Sequence, residues 1–419
     1  MLTSGSLLTR TESAALVGVF LLVRLGMLIA FFKLTGGNEI ASDVYFHKLI
    51  IDQPLGILAG TSYEISSYPP FQWLVEWPLY NLFAIFFHKF LSIRLLMLTV
   101  ELLAFSLLVY QSRHFFDSKK MLIATAVLFI IAPVQYFSTV FFVQEDIISQ
   151  LFILLATLAL LKGYRELTMA ILVLGVLIAK IFFIIPLFYV IWFHGNHTFF
   201  KRVTHGLLSI APIVLVYFIT ITNALNNGGD VPIRDFTPDA DYAANFWVLI
   251  LKADPDALTT VKHASLLLSA AVQFLVIGIF FFYKYVRKKT LHPLVLIAVP
   301  LVFFFGTFYQ HMPEYFLMLW PVTALLCTSL FQHLLLAFAF SLAWAPRVIH
   351  GIKTIQDNFG STVEARADIL KPLLDLLQFD MNTLHSASLA AQTFFYTVMM
   401  IYLCFLAIGK NRSVNTLQQ

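Results

Sequence analysis

The chain has 419 residues, of which 59% are hydrophobic, 16% aromatic and only 12% charged, with a formal net charge of +4. Soluble domains run to roughly 25% charged and 45–50% apolar residues, so a chain with mean hydropathy +0.83 has too little polar surface to face water all round. A soluble enzyme, a secreted disulfide scaffold and a disordered chain are excluded. The apolar runs are continuous rather than alternating, which speaks against a β-barrel and predicts an all-α polytopic transmembrane bundle.

Crossing the hydrocarbon takes about 20 apolar residues at about 1.5 Å each. In chain order the expected membrane segments are 13–32, 71–87, 91–110, 121–142, 147–161, 168–193, 205–222, 264–283, 292–309, 315–331, 332–345 and 389–409. That is about 10–12 segments, some of them short or re-entrant. Residues 1–345 form one transmembrane module, with polar loops at 34–70 and 223–263; residues 346–419 add an amphipathic stretch and a last transmembrane helix.

Basic residues mark the cytoplasmic side. Lys284 with Arg287, Lys89 with Arg94, Lys162 with Arg165, and Lys201 with Arg202 are placed inside, which leaves the two acidic loops outside. Nucleic acid is not an expected partner, because such charge is the ordinary signature of cytoplasmic loops. This topology puts basic residues at both ends of 168–193, so that segment is read as two half-helices broken by Lys180 and Pro186. In 71–110, one of two helices fails to cross. Cys327 and Cys404 lie in apolar runs and read as small buried hydrophobes. Asn196-His197-Thr198 fits a glycosylation pattern but falls on a loop placed inside.

Four polar constellations carry the candidate chemistry. Asp43, in Asp43-Val44-Tyr45, follows the first span closely enough to sit at the membrane surface, where a carboxylate suits a general base. Tyr68-Pro69-Pro70 holds the chain extended ahead of the next helix. Gln144-Glu145-Asp146 opens a helix, where acids serve as caps or line a cavity. Lys180 lies within an apolar run, a position tolerated inside the protein or along a wet cavity; it can bind a phosphate, snorkel to an interface or pair with a buried acid. His311, Glu314 and Tyr315 lie in a short turn between spans. Glu76 and Glu101 fall within apolar segments and are expected to hydrogen-bond inside the bundle. The twelve histidines are scattered without metal-ligand spacing, and no metal or cofactor is expected.

These features, in this order, resemble the GT-C superfamily of integral-membrane glycosyltransferases. Asp43-Val44-Tyr45 resembles the family's acid after the first helix, and Tyr68-Pro69-Pro70 its Tyr-Pro-Pro. Gln144-Glu145-Asp146 is similar to its Gly-Gln-x-Asp element with Val143 in place of Gly, and Lys180 to Pro186 to its Lys followed by aromatics and Pro. Pro313-Glu314-Tyr315-Phe316 with Pro321 is similar to an element of the polyprenyl- or dolichyl-phosphate-mannose-dependent mannosyltransferases, with Glu314 in place of Gln. The resemblance covers residues 15–325. It implies inverting transfer of a hexose, with mannose expected, from a polyprenyl-phosphate donor to a lipid or glycan hydroxyl on the extracytoplasmic face. Asp43 would be the base, and Lys180, His311 and Tyr315 would receive the leaving phosphate. Glu145 and Asp146 would orient the acceptor or the surroundings of Asp43, and Tyr45, Tyr68, Gln144 and Glu314 would complete the substrate site. The competing expectation is a lipid or solute transporter or flippase, which also uses intramembrane charge and broken helices.

Overall fold

The computed structural model describes residues 6–35, 44–61, 68–141, 143–227, 246–308, 315–327 and 329–342, with parts of 383–405. Among them every regular element is helical. In chain order the helices are α1 (Arg10–Thr35), α2 (Val44–Asp52), α3 (Gly56–Ala59), α4 (Trp73–Ala84), α5 (Lys89–Tyr110), α6 (Ser112–Phe115), α7 (Lys119–Ile131), α8 (Pro133–Tyr136), α9 (Asp146–Leu161) and α10 (Arg165–Ile178). They continue with α11 (Ile184–Phe193), α12 (Phe199–Asn226), α13 (Trp247–Ala253), α14 (Leu258–Phe281), α15 (Pro293–Thr307), α16 (Tyr315–Ala324) and α17 (Leu330–Leu342). A π-helical turn covers Phe137–Phe141 and a 3-10 turn covers Ile181–Phe183.

Five described helices are long and apolar enough to cross a membrane: Arg10–Lys33, Lys89–Tyr110, Phe199–Asn226, Leu258–Val286 and Ser386–Leu403. Several expected segments are shorter than a span. In 71–110, α4 is the one that falls short: its 12 residues reach only about 18 Å, against 22 residues for α5. The segment expected at 121–142 is not one helix. It stops at Ile131 because Pro133 has no N–H to donate to Phe129 and disfavours helical backbone before it. Parts of the expected polar loops are helical. Helices α2 and α3 lie within 34–70, while α13 and the ends of α12 and α14 lie within 223–263.

α1 begins with a reciprocal cap. The Thr9 backbone N–H donates to Glu12 Oε2 at 3.0 Å, and the Glu12 N–H donates to Thr9 Oγ1 at 3.2 Å, the S/T-x-x-E pattern that satisfies two helix-end donors. Thr198 caps α12 by accepting from the Lys201 N–H, which gives the Asn-His-Thr triplet a helix-start role. Phe20, Phe105 and Phe129 pack together with ring centroids 4.7–6.3 Å apart and join α1, α5 and α7.

Two prolines withhold a backbone donor, Pro133 just after the end of α7 and Pro321 inside α16, and the freed carbonyls find side-chain donors, as apolar surroundings require. Phe129, four residues before Pro133, accepts from Arg24 Nη2 at 2.9 Å, and Ile130 accepts from Arg24 Nη1 at 2.6 Å. The same guanidinium pairs with Glu101 on α5 through Nε and Nη2 at 2.8–3.1 Å, both side chains fully buried. Leu317, four residues before Pro321, accepts from Gln150 Nε2 of α9 at 2.9 Å. Glu101 is thus bonded inside the bundle, as its apolar neighbours predicted.

Arg94 departs from its expected place among the loop charges. It is buried in α5, donates through Nε to the Val140 carbonyl at 2.9 Å and lies against the Phe31 ring at 4.4 Å. It therefore braces the π-helical turn and carries no topological signal.

Candidate functional site

Broken backbone delivers Gln144, Glu145 and Asp146. After the π-helical turn, Val143 adopts φ +56°, a left-handed conformation disfavoured for a β-branched residue. The Gln144 N–H then donates back to the Ser138 carbonyl at 2.7 Å, and α9 starts at Asp146. Glu145 occupies the helix N-cap position, yet it has helical backbone and makes no side-chain cap. Its carboxylate turns to Lys180 instead.

Lys180 lies in the expected break of 168–193. The amides of Ala179 and Lys180 both donate to the Gly175 carbonyl, at 2.8 and 2.9 Å, which ends α10. Lys180 itself is extended (φ −156°, ψ 140°). The turn is tight because residue 175 is glycine: a Cβ there would lie 2.6 Å from the Phe183 ring. Pro186 does not make the break. It falls in the first turn of α11, where a missing N–H costs little.

The Lys180 ammonium donates to Glu145 Oε1 and lies 3.8 Å from Asp146 Oδ2. It also sits 5.3 Å from the Tyr315 ring centroid, a distance at which a cation is attracted to the ring face. Tyr315 is wedged between Phe182 and Phe305, at 5.3 and 5.1 Å. Four expected site residues, Glu145, Asp146, Lys180 and Tyr315, therefore meet at the ends of α9, α10 and α16. Glu145 Oε2 and Ser149 Oγ are buried without a hydrogen-bond partner among the described residues.

One ammonium against two carboxylates leaves the trio with an excess negative charge. A phosphate would meet Lys180 already engaged by Glu145, so the expected phosphate-binding role suits this lysine poorly. Its other expected role, pairing with a buried acid, is the one its contacts match.

Tyr45 and Tyr68 gather around Phe46 on α2. Phe46 lies 5.7 Å from the Tyr45 ring and 6.1 Å from the Tyr68 ring, and Tyr45 is 58% exposed. Beyond Tyr68-Pro69-Pro70, the Phe71 N–H donates to the Leu177 carbonyl at 3.0 Å, joining this segment to the end of α10. Asp43, His311 and Glu314 lie outside the described residues.

A second polar network joins α2, α4 and the Val143 turn, centred on His47, which no sequence motif marks. His47 is fully buried; its Nε2 donates to the Val143 carbonyl at 2.8 Å, and its Nδ1 lies 2.8 Å from Glu76 Oε1. A carbonyl only accepts, so Nε2 carries hydrogen. Nδ1 and the Glu76 carboxyl then share one further proton. Gln72 Nε2 donates to the same Glu76 oxygen at 2.6 Å. Glu76 inside an apolar helix was the visible signal; the histidine partner 29 residues earlier had no periodicity to mark it.

Among the described residues no group of three His, Cys, Asp or Glu side chains converges as a metal-ligand set. No family model, curated protein or solved structure matches the chain.

Proposed function

We propose that the protein is a membrane glycosyltransferase of GT-C type that moves a hexose, with mannose expected, from a polyprenyl-phosphate donor to a lipid or glycan hydroxyl. The observation that carries the reading is the meeting of Glu145 and Asp146 with Lys180 and Tyr315 at helix ends. Three separate elements of the resemblance thereby fall at one polar site inside an apolar protein. Val143 adds support: it replaces a glycine of the resembled pattern, and its φ of +56° is the conformation in which glycine is at ease.

In this reaction Asp43 takes the proton of the acceptor hydroxyl. The oxygen attacks the anomeric carbon from the side opposite the phosphate, a new glycosidic C–O bond forms, and the C–O bond to phosphate breaks. The electron pair leaves with the polyprenyl phosphate, and the anomeric configuration inverts. Glu145 and Asp146, held by Lys180, accept hydrogen bonds from sugar or acceptor hydroxyls; Glu145 Oε2 is an acceptor in need of such a donor. The leaving phosphate requires a donor or cation, a role that falls to His311 and Tyr315 rather than to Lys180. The site faces the extracytoplasmic side, the side of the acidic loops.

A transporter or flippase is the second reading, favoured by one observation: the ionisable trio sits at a break between two short helices. One experiment separates the two. Purified protein in liposomes is given radiolabelled polyprenyl-phosphate mannose and a membrane lipid extract. A glycosyltransferase yields a new labelled product. Label that changes leaflet while staying on its original lipid would instead support the second reading.

A further inference from the structure

Three cations converge on the far end of α11, away from Lys180 by the length of that helix, about 15 Å. Arg165 Nη2 donates to the Ile191 carbonyl at 3.0 Å. Arg202 donates to the carbonyls of Ile191 (3.2 Å), Gly195 (2.9 Å) and His197 (3.0 Å), and also to that of Trp192. Lys284 Nζ donates to the carbonyls of Phe193 and Gly195, each at 2.6 Å. Both arginines are buried, and they share one acceptor, so their guanidinium groups are forced close together.

Capping the α11 carbonyls accounts for part of this arrangement. A helix C-terminus, however, offers only about half a negative charge, which does not balance three cations. Glu166 faces the cluster, but none of the three cations forms an ion pair among the described residues. Arg165 Nε is buried with no hydrogen-bond partner there. The nearby histidines add no compensation: burial, then Arg165, push the His194 and His197 imidazoles down, His194 to about 4.

Aromatic residues ring the cluster: Trp192 lies 5.9 Å from Phe199, Tyr285 donates to the Trp192 carbonyl at 3.2 Å, and Phe199 and Phe200 are 65% and 81% exposed. Trp and Tyr, here Trp192 and the 42% exposed Tyr285, mark a membrane–water interface when they lie beside basic residues, and basic pockets between helices at such an interface bind anionic headgroups.

We propose that Arg165, Arg202 and Lys284, with exposed Lys201 at the rim, bind the phosphate of an anionic phospholipid from the leaflet at this end. The test uses the full chain in nanodiscs of phosphatidylcholine mixed with phosphatidylglycerol, with retained lipid counted by native mass spectrometry. Phosphatidylglycerol is expected to be retained in preference to phosphatidylcholine. Lys284→Gln and Lys201→Gln should each weaken that preference by about fivefold, whereas Lys120→Gln, on the exposed start of α7, leaves it unchanged. Lys201 is exposed, so its variant keeps the test open if Lys284→Gln folds poorly. Equal retention of the two lipids, or variants that hold phosphatidylglycerol as the wild type does, would overturn the proposal. Equal stabilisation by millimolar inorganic phosphate in pure phosphatidylcholine discs would overturn the lipid assignment in favour of a soluble phosphate.

Discussion

At Lys180 one ammonium meets two carboxylates, and this balance decides what the residue does. Removing the cation leaves Glu145 buried without its partner, which costs about 3–5 kcal/mol for a buried pair. Lys180→Met is therefore expected to lower the unfolding free energy by that amount, and adding Glu145→Gln should recover much of the loss. A Lys180→Met protein as stable as wild type would show that the pair contributes nothing structural. Val143 sets two magnitudes against each other. Its left-handed backbone costs about 1–2 kcal/mol, while its fully buried side chain contributes about 1.5–3 kcal/mol. Val143→Gly should therefore destabilise only slightly, and far less than Val176→Gly within α10, where the glycine penalty and the lost burial add. Equal losses at the two positions, measured by denaturant unfolding, would contradict the strained backbone at Val143.

Prolines after or inside helices withhold backbone donors, and distant side chains supply them instead. Gln150 on α9 supplies the donor that Pro321 withholds from Leu317, so Gln150→Ala strands a buried carbonyl at a cost of about 1–3 kcal/mol. In a Pro321→Ala background the backbone can donate again. The expected loss from Gln150→Ala then shrinks, and a double-mutant cycle should read a clear coupling; additive losses would show that the two residues act independently. A close backbone approach fixes α3 on α12. Gly60 has φ +68°, and a Cβ there would lie 2.3 Å from the Ala224 nitrogen. Asn223 Nδ2 and Asn227 Nδ2 also donate to the carbonyls of Leu58 and Ala59 at 2.9 and 2.7 Å. Gly60→Ala must displace backbone, so it should separate α3 from α12 and make the chain near Gly60 an early site of limited proteolysis; a cleavage pattern identical to wild type would contradict this packing.

Across the whole molecule, what was legible in the chain follows from range. Long apolar runs report themselves through composition, so α1, α5, α12 and α14 were visible directly. The break at Lys180 was visible because a lysine interrupts such a run. The break at Pro133 is not legible locally, since the residue that makes it tolerable, Arg24, lies 105 positions before the Phe129 carbonyl it caps. Arg94 reads as a loop charge for a related reason: a charge near the start of an apolar helix looks the same whether it faces water or an internal carbonyl. The site divides along the same line. Glu145 and Asp146 stood out as acids opening a helix, but only the fold joins them to a lysine 35 residues later and sets His47 beneath the turn that carries them. The molecule thus places a polar site at one end of α11 and a cluster of basic residues beside exposed aromatics at the other.

The most direct test of the proposed chemistry compares purified wild-type protein with Asp43→Asn, each given radiolabelled polyprenyl-phosphate mannose and membrane lipid extract. The account predicts a labelled glycosylated product from the wild type and none from a folded Asp43→Asn protein. Undiminished transfer by Asp43→Asn would contradict the assignment of the base, and transfer by neither protein, whichever hexose the donor carries, would contradict the glycosyltransferase itself.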